Sequence, residues 1–272
     1  MRYQWISFTT DYGLDDPFVG ICHGVIARIA PDVRVIDLTH AVPPGEIRHG
    51  AFTLAQAVGY LPPAVHLGVV DPGVGTTRRA VALVARDGVL VGPDNGLLLP
   101  AAEELGGAVA AYELTAPEYR LPDVSATFHG RDIFAPAAAH VAAGVPPERL
   151  GPPVDVRDLE RVTAPAPSVR PGAITTEVLV ADHFGNIQLA ARADTLADAG
   201  FDEGQQVTVH MGEARHLAVI GRTFEDVEDG ELILLVDSAG MLALAINRAS
   251  AAMKLGLVRG HFPECVISGP TG

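Results

Sequence analysis

Hydrophobic and polar positions follow two alternating periods through the first half of the chain. Trp5 to Thr9 reads as a strand and runs into the polar stretch Thr10 to Asp16. Phe18, Cys22, Val25, Ile26 and Ile29 then recur at helical spacing and form one apolar face. Val33 to Leu38 is a second strand, and Ile47, Ala51, Leu54, Ala55 and Val58 mark a second helix. Val65 to Val70 is a continuous apolar run of the kind covered on both faces. Ala80 to Ala85 and Val89 to Val91 flank Asp87-Gly88 as a hairpin, and Phe134 to Val141 reads as a helix stopped by Gly144 and Pro146.

Strand alternating with helix predicts an α/β domain over residues 1–160 with a largely parallel sheet. Ligands in such sheets bind beyond the carboxyl ends of the strands. The loops Asp11 to Asp16, Asp37 to His40 and Asp71 to Arg78 lie there. Pro152, Pro153, Pro165, Pro167 and Pro171 break regular structure, which predicts a linker over 161–172. Residues 173–272 turn mostly strand-like, with runs at Ile174–Ala181, Gln206–Met211, His216–Ile220 and Leu232–Val236. They predict a smaller all-β, barrel-like domain.

A chain of 272 residues is long enough for two such domains. Its net charge of −14 argues against nucleic acid, whose binding needs clustered Lys and Arg. No apolar stretch reaches the length of a membrane span, and the apolar run at the N-terminus is too short for a signal peptide. Cys22 and Cys265 have no metal or redox spacing, so the expectation is a cytoplasmic protein with two reduced, buried thiols.

The chemistry-bearing residues each admit a plain reading. Gly73-Val74-Gly75 lacks the third glycine of a dinucleotide fingerprint and the Gly-Lys-Ser/Thr of a phosphate loop. It reads instead as a tight turn that holds Asp71 near Arg78. By residue type, Asp11, Asp15 and Asp16 serve most simply to cap the helix after them. Joined by Asp37, His40, His129 and Asp132 they would make a metal site, but no ligand spacing supports one, and no metal is expected. His129 by itself reads as a structural histidine, and Arg131-Asp132 as a salt bridge. Asp182-His183-Phe184-Gly185-Asn186 is either an Asx-Gly turn or a small-molecule clamp.

These blocks in this order resemble the S-adenosyl-L-methionine (SAM) hydrolases, or SAM hydroxide adenosyltransferases, and their relatives the SAM-dependent fluorinases and chlorinases. The resemblance runs from Thr9 to Asn247. It implies an N-terminal α/β domain, a C-terminal β-barrel, and a homotrimer with SAM bound between subunits. It implies that Asp71, Arg78 and His129 are the hydrolase trio and that Asp11 grips the ribose hydroxyls. Asp16 and Asp182 would face the methionine end, and Phe184 and Asn186 the adenine. Ser238 would hold the methionine carboxylate, and Asn247 and Arg248 would lie along the adenine edge. Halogenases carry a tyrosine where this chain has Asp71, and fluorinases a serine where it has Gly130 and an insertion that is missing here. Gly45, Gln188 and Met241 depart from the common pattern. The implied reaction is metal-independent hydrolysis of SAM to adenosine and L-methionine without a cofactor. A halogenase, a SAM- or adenosine-binding regulatory protein and a metal-dependent hydrolase are the alternatives.

Overall fold

In the computed structural model β1 (Trp5–Thr10) lies between β2 (Arg34–Thr39) and β3 (Ala64–Val69) and runs parallel to both. The structure describes residues 2–162, 166–258 and 263–269. β4 (Ala80–Ala85) and β5 (Gly88–Pro93) form the hairpin expected at Asp87-Gly88, and β5 joins β3 in parallel. Beyond them β6 (Ala108–Glu113) and β7 (Pro153–Val154) add antiparallel strands. The order is β2-β1-β3-β5-β4-β6-β7.

Helices cover both faces of this sheet. α1 (Phe18–Ile29) and α4 (Ala135–Ala142) pack on one face, while α2 (Ile47–Val58) and α3 (Leu99–Glu104) pack on the other. All six residues of β3 are buried, as its unbroken apolar run requires. That run includes His66, whose Nδ1 lies 2.8 Å from Ser7 Oγ. Burial pushes its pKa down to about 4, so the ring is neutral.

Two local expectations are corrected. Neither Asp15 nor Asp16 caps α1: the capping position is Pro17, and no side chain accepts a bond there. The predicted linker also contains a strand, β8 (Ser168–Arg170), between Pro167 and Pro171. It pairs through a short turn at Gly172 with the start of the following strand, an edge position where flanking prolines cost no ladder bond. Residues 163–165, with Pro165 of the linker, lie outside the described residues.

The second half is a closed barrel. β9 (Ala173–Ala181), β10 (Ile187–Arg192), β11 (Gln206–Met211), β12 (Ala214–Ile220), β13 (Leu232–Val236), β14 (Met241–Ile246) and β15 (Glu264–Ser268) supply the staves. They run in the order β10-β14-β13-β12-β11-β15-β9, and the β9–β10 pairing closes the ring. Among the described residues of the barrel, only β12 and β13 pair in parallel. The chain divides into two units, 1–162 and 163–272, each with its own core. Among the described residues no helix is long and apolar enough to cross a membrane. Cys22 and Cys265 are free and buried, and burial pushes both thiols up to about 12.

Candidate active site

Because β1, β2 and β3 are parallel, the residues that follow them emerge at one edge of the sheet. Asp71 stands two residues beyond β3. Arg78 Nε donates to Asp71 Oδ1 at 2.8 Å, and Arg78 Nη2 donates to Asp71 Oδ2. The same Nη2 donates to His129 Nδ1 at 2.8 Å. Arg78 thus bridges the other two members of the expected trio, and its guanidinium carbon lies 5.1 Å from the Phe134 ring centroid. A guanidinium only donates, so Nδ1 of His129 must accept, and the neutral ring carries its proton on Nε2. Burial lowers the His129 pKa, and the Arg78 charge lowers it further. Both effects keep the ring neutral.

The glycine loop makes this triangle possible. Gly75 has φ +77°, and a Cβ there would lie 2.3 Å from the Ala126 carbonyl oxygen. The 71–78 loop therefore packs directly on the loop that leads to His129. Thr76 closes the turn, donating through N and Oγ1 to the Gly73 carbonyl at 3.1 and 2.7 Å. Asn95 pins the start of the loop, donating through Nδ2 to the Val70 carbonyl at 2.8 Å.

Asp132 organises the other side. Its fully buried carboxylate accepts from Ser125 N at 2.8 Å and from Arg131 Nε at 2.5 Å. The salt bridge expected of Arg131-Asp132 is present, and it also shapes the segment that presents His129. Gly130–Phe134 then forms a single π-helical turn before α4. Such turns are frequent at functional sites.

Tyr12 is a feature that the sequence reading missed. Its ring meets Phe128 and Phe18 at 5.9 and 6.0 Å, and a Cβ at Gly130 would lie 2.0 Å from its hydroxyl. A phenol thus fills the space beside His129 that a side chain at position 130 would take. Burial raises the Tyr12 pKa above its ordinary value, so the phenol stays protonated. No local pattern signals this contact, because its partners lie more than a hundred residues apart in the chain. Asp11, half-buried at the end of β1, accepts from Gly45 N at 2.8 Å. Burial raises its pKa against that bond, and the Asp71 charge adds to the rise. Gly45, with φ +76°, offers a backbone donor rather than a side chain here. Asp16 is exposed.

The remaining assigned residues lie in the second unit. Asp182, Phe184 and Asn186 sit on the β9–β10 turn. Asp182 accepts from Asn186 N at 2.8 Å and from Asn186 Nδ2 at 2.7 Å, leaving Phe184 75% exposed. Gly185 has φ +85°, and a Cβ there would lie 2.0 Å from Ser250 Oγ, so the turn tolerates no other residue. Ser238 is exposed on a turn that Asp237 organises by accepting from Ala239 N and Met241 N at 2.8 and 3.0 Å. Gln188 steadies that turn by donating to Asp237 at 2.5 Å. Asn247 donates to the Val227 carbonyl at 2.9 Å, and Arg248, with φ +58°, pairs with Asp229 at 3.2 Å.

Among the described residues one group could hold a metal ion: His23, Asp37 and His40. Asp37 and His40 come from the set weighed in the sequence. Asp11, Asp15, Asp16, His129 and Asp132 do not join them.

A family model described as the SAM hydroxide adenosyltransferase N-terminal domain matches residues 6–151, and one for the C-terminal domain matches 176–262. A protein of Salinispora tropica named (R)-S-adenosyl-L-methionine hydrolase is 57% identical over 258 residues, covering 94% of this chain and 95% of that protein. A protein of Actinopolyspora mzabensis named fluorinase is 30% identical over 283 residues, covering 94% of each. The crystal structure of an uncharacterized conserved protein from Thermotoga maritima superposes with a TM-score of 0.89 at 38% identity, covering 96% of this chain and 99% of that one.

Proposed function

This chain belongs to the SAM hydroxide adenosyltransferase family, and from that premise we propose that it hydrolyses S-adenosyl-L-methionine to adenosine and L-methionine. The observation that carries the reading is the bridge from Asp71 through Arg78 to His129. It gathers a carboxylate, a cation and a neutral imidazole at the mouth of the sheet.

The thioether of SAM leaves from a sulfonium, so no acid need protonate it. The protein has to place water in line with the C5′–S bond, and alignment of this kind can supply roughly 7–11 kcal/mol. With Nδ1 occupied by Arg78, the Nε2–H of His129 orients the water as a donor. It does not act as the base. Free hydroxide is in any case out of reach of a neutral imidazole: about 9 pKa units separate water from histidine, or roughly 12 kcal/mol. The proton therefore leaves as or after the C–O bond forms, and Asp71 receives it. Asp71 also sets the choice of nucleophile, because a carboxylate repels a halide at that position.

Asp11 grips the ribose diol, a bidentate acceptor role. Asp16 and Asp182 face the cationic methionine end, Ser238 its carboxylate, and Phe184 and Asn186 the adenine, with Asn247 and Arg248 along its edge. The first group belongs to one unit and most of the second to the other. A homotrimer that joins the N-terminal unit of one subunit to the barrel of the next completes the site. No cofactor takes part.

Incubation with SAM and analysis of the products tests the proposal. Adenosine and methionine in equal amounts, unchanged by added chloride or fluoride, are expected. A 5′-halo-5′-deoxyadenosine formed on adding halide, or a stable SAM complex with no product, would overturn it.

A further inference from the structure

His23 on α1 and Asp37 and His40 at the end of β2 offer three ligand atoms within 4.8 Å of one another. His23 Nε2 lies 2.9 Å and His40 Nε2 3.0 Å from the same oxygen, Asp37 Oδ1. The two histidines are not equivalent. His23 makes a hydrogen bond to that oxygen. The His40 side chain is only 3% exposed, and its Nε2 has no hydrogen-bond partner. It stands near the carboxylate but off the line that donation requires. A buried ring nitrogen in this position needs an explanation.

The other nitrogen of His40 supplies one. Nδ1 lies 2.8 Å from Thr10 Oγ1, the oxygen that also accepts from Tyr12 N at 3.1 Å. When Nδ1–H donates to Thr10, Nε2 presents a lone pair toward His23 and Asp37. This is how a metal-binding imidazole is normally oriented by the groups behind it. His23 on α1 and Asp37 on the edge strand β2 are both partly exposed, so an ion can enter from solvent.

We infer that His23, Asp37 and His40 form a binding site for one divalent transition-metal ion of the zinc class. Two imidazoles and one carboxylate suit zinc, cobalt or nickel, whereas magnesium and calcium favour oxygen ligands throughout. Three protein ligands leave a fourth position for water. The site shares no residue with the Asp71–Arg78–His129 triangle. Its influence runs through Thr10 and through the Gly13 N to His40 O bond of 2.7 Å, which together hold the loop bearing Asp11.

The test is titration of the untagged chain with Co²⁺, followed by displacement with Zn²⁺. One equivalent of Co²⁺ should bind with micromolar affinity, give the visible absorption of a four-coordinate ion, and be displaced by Zn²⁺. His23→Ala should weaken binding on the order of 100-fold, since even groups behind a ligand are worth about 10–100-fold. Asp37→Asn, also at a partly exposed position, should do the same. His216→Ala, on β12 of the barrel, should leave Co²⁺ binding unchanged. Absence of saturable Co²⁺ binding, or an affinity unchanged in folded His23→Ala or Asp37→Asn, would show a simple His–carboxylate ion pair and overturn the inference.

Discussion

Asp71 holds Arg78 at two points, and in the proposed reaction the same carboxylate sets the charge of the nucleophile pocket. Asp71→Asn should therefore lower kcat by about 10²–10³-fold, the scale for losing one positioned polar group, while the dissociation constant for SAM stays within a few-fold. Arg78→Ala should do at least as much. Single-turnover kinetics with equilibrium binding checks both, and wild-type rates in either variant would remove the assigned role. His129 should set the acid limb of the pH profile. Protonating it places an N–H where Nδ1 now accepts from a cation, so its pKa lies below the ordinary value of about 6.5. The rate should be flat above that pH and fall as pH drops through the lowered pKa, and His129→Asn should lose this limb. Gly130→Ser drives a Cβ into the Tyr12 hydroxyl. It should reduce hydrolysis without creating halide transfer, and Tyr12→Phe should restore part of the rate. The residue types of the trio were legible in the chain; the bridging place of Arg78 and the Tyr12–Gly130 contact were not. Both depend on loops that meet only after the sheet has formed.

The elements that carry these residues have testable demands of their own. Gly75→Ala meets a left-handed φ and a carbonyl oxygen 2.3 Å from the new Cβ. It should cost more than about 1 kcal/mol of stability in chemical denaturation and separate Arg78 from His129. In β3, His66 is neutral when folded, with a pKa of about 4 against about 6.5 unfolded. Below pH 6.5 the unfolded chain binds the extra proton, so stability falls as pH drops from about 6.5 to about 4. The loss over that window is roughly 3 kcal/mol. His66→Gln should flatten the slope there, measured by denaturant midpoints at several pH values. The periodic pattern reached the elements with long apolar runs or a full helical face, from β1 to β5 and α1, α2 and α4. It missed α3, whose six residues open on Leu99-Pro100, and the alanine-rich β6, whose small side chains favour neither period. It also missed His23 as a partner of Asp37, because the two come together only when α1 packs beside β2.

At the scale of the whole molecule, an α/β unit and a closed barrel each carry part of the proposed SAM site. Phe184, 75% exposed on the barrel, is an aromatic surface that a bound adenine would cover. Light scattering on the purified protein should give three times the chain mass. Phe184→Ala should weaken SAM binding about tenfold while leaving the barrel folded, in keeping with the 1–3 kcal/mol worth of a base stacked on an aromatic ring. The family was readable from the order of its blocks, because each block is a loop whose residues are set by chemistry rather than packing. The homotrimer came only as what that resemblance implies, since no pattern within one chain specifies its neighbours. The central claim is that water attacks C5′ of SAM. Reaction in ¹⁸O-labelled water, with mass analysis of the nucleoside, tests it most directly. Attack by water puts one ¹⁸O atom in the 5′-hydroxyl of adenosine and none in methionine. Unlabelled adenosine, or label carried by the amino-acid product, would contradict it.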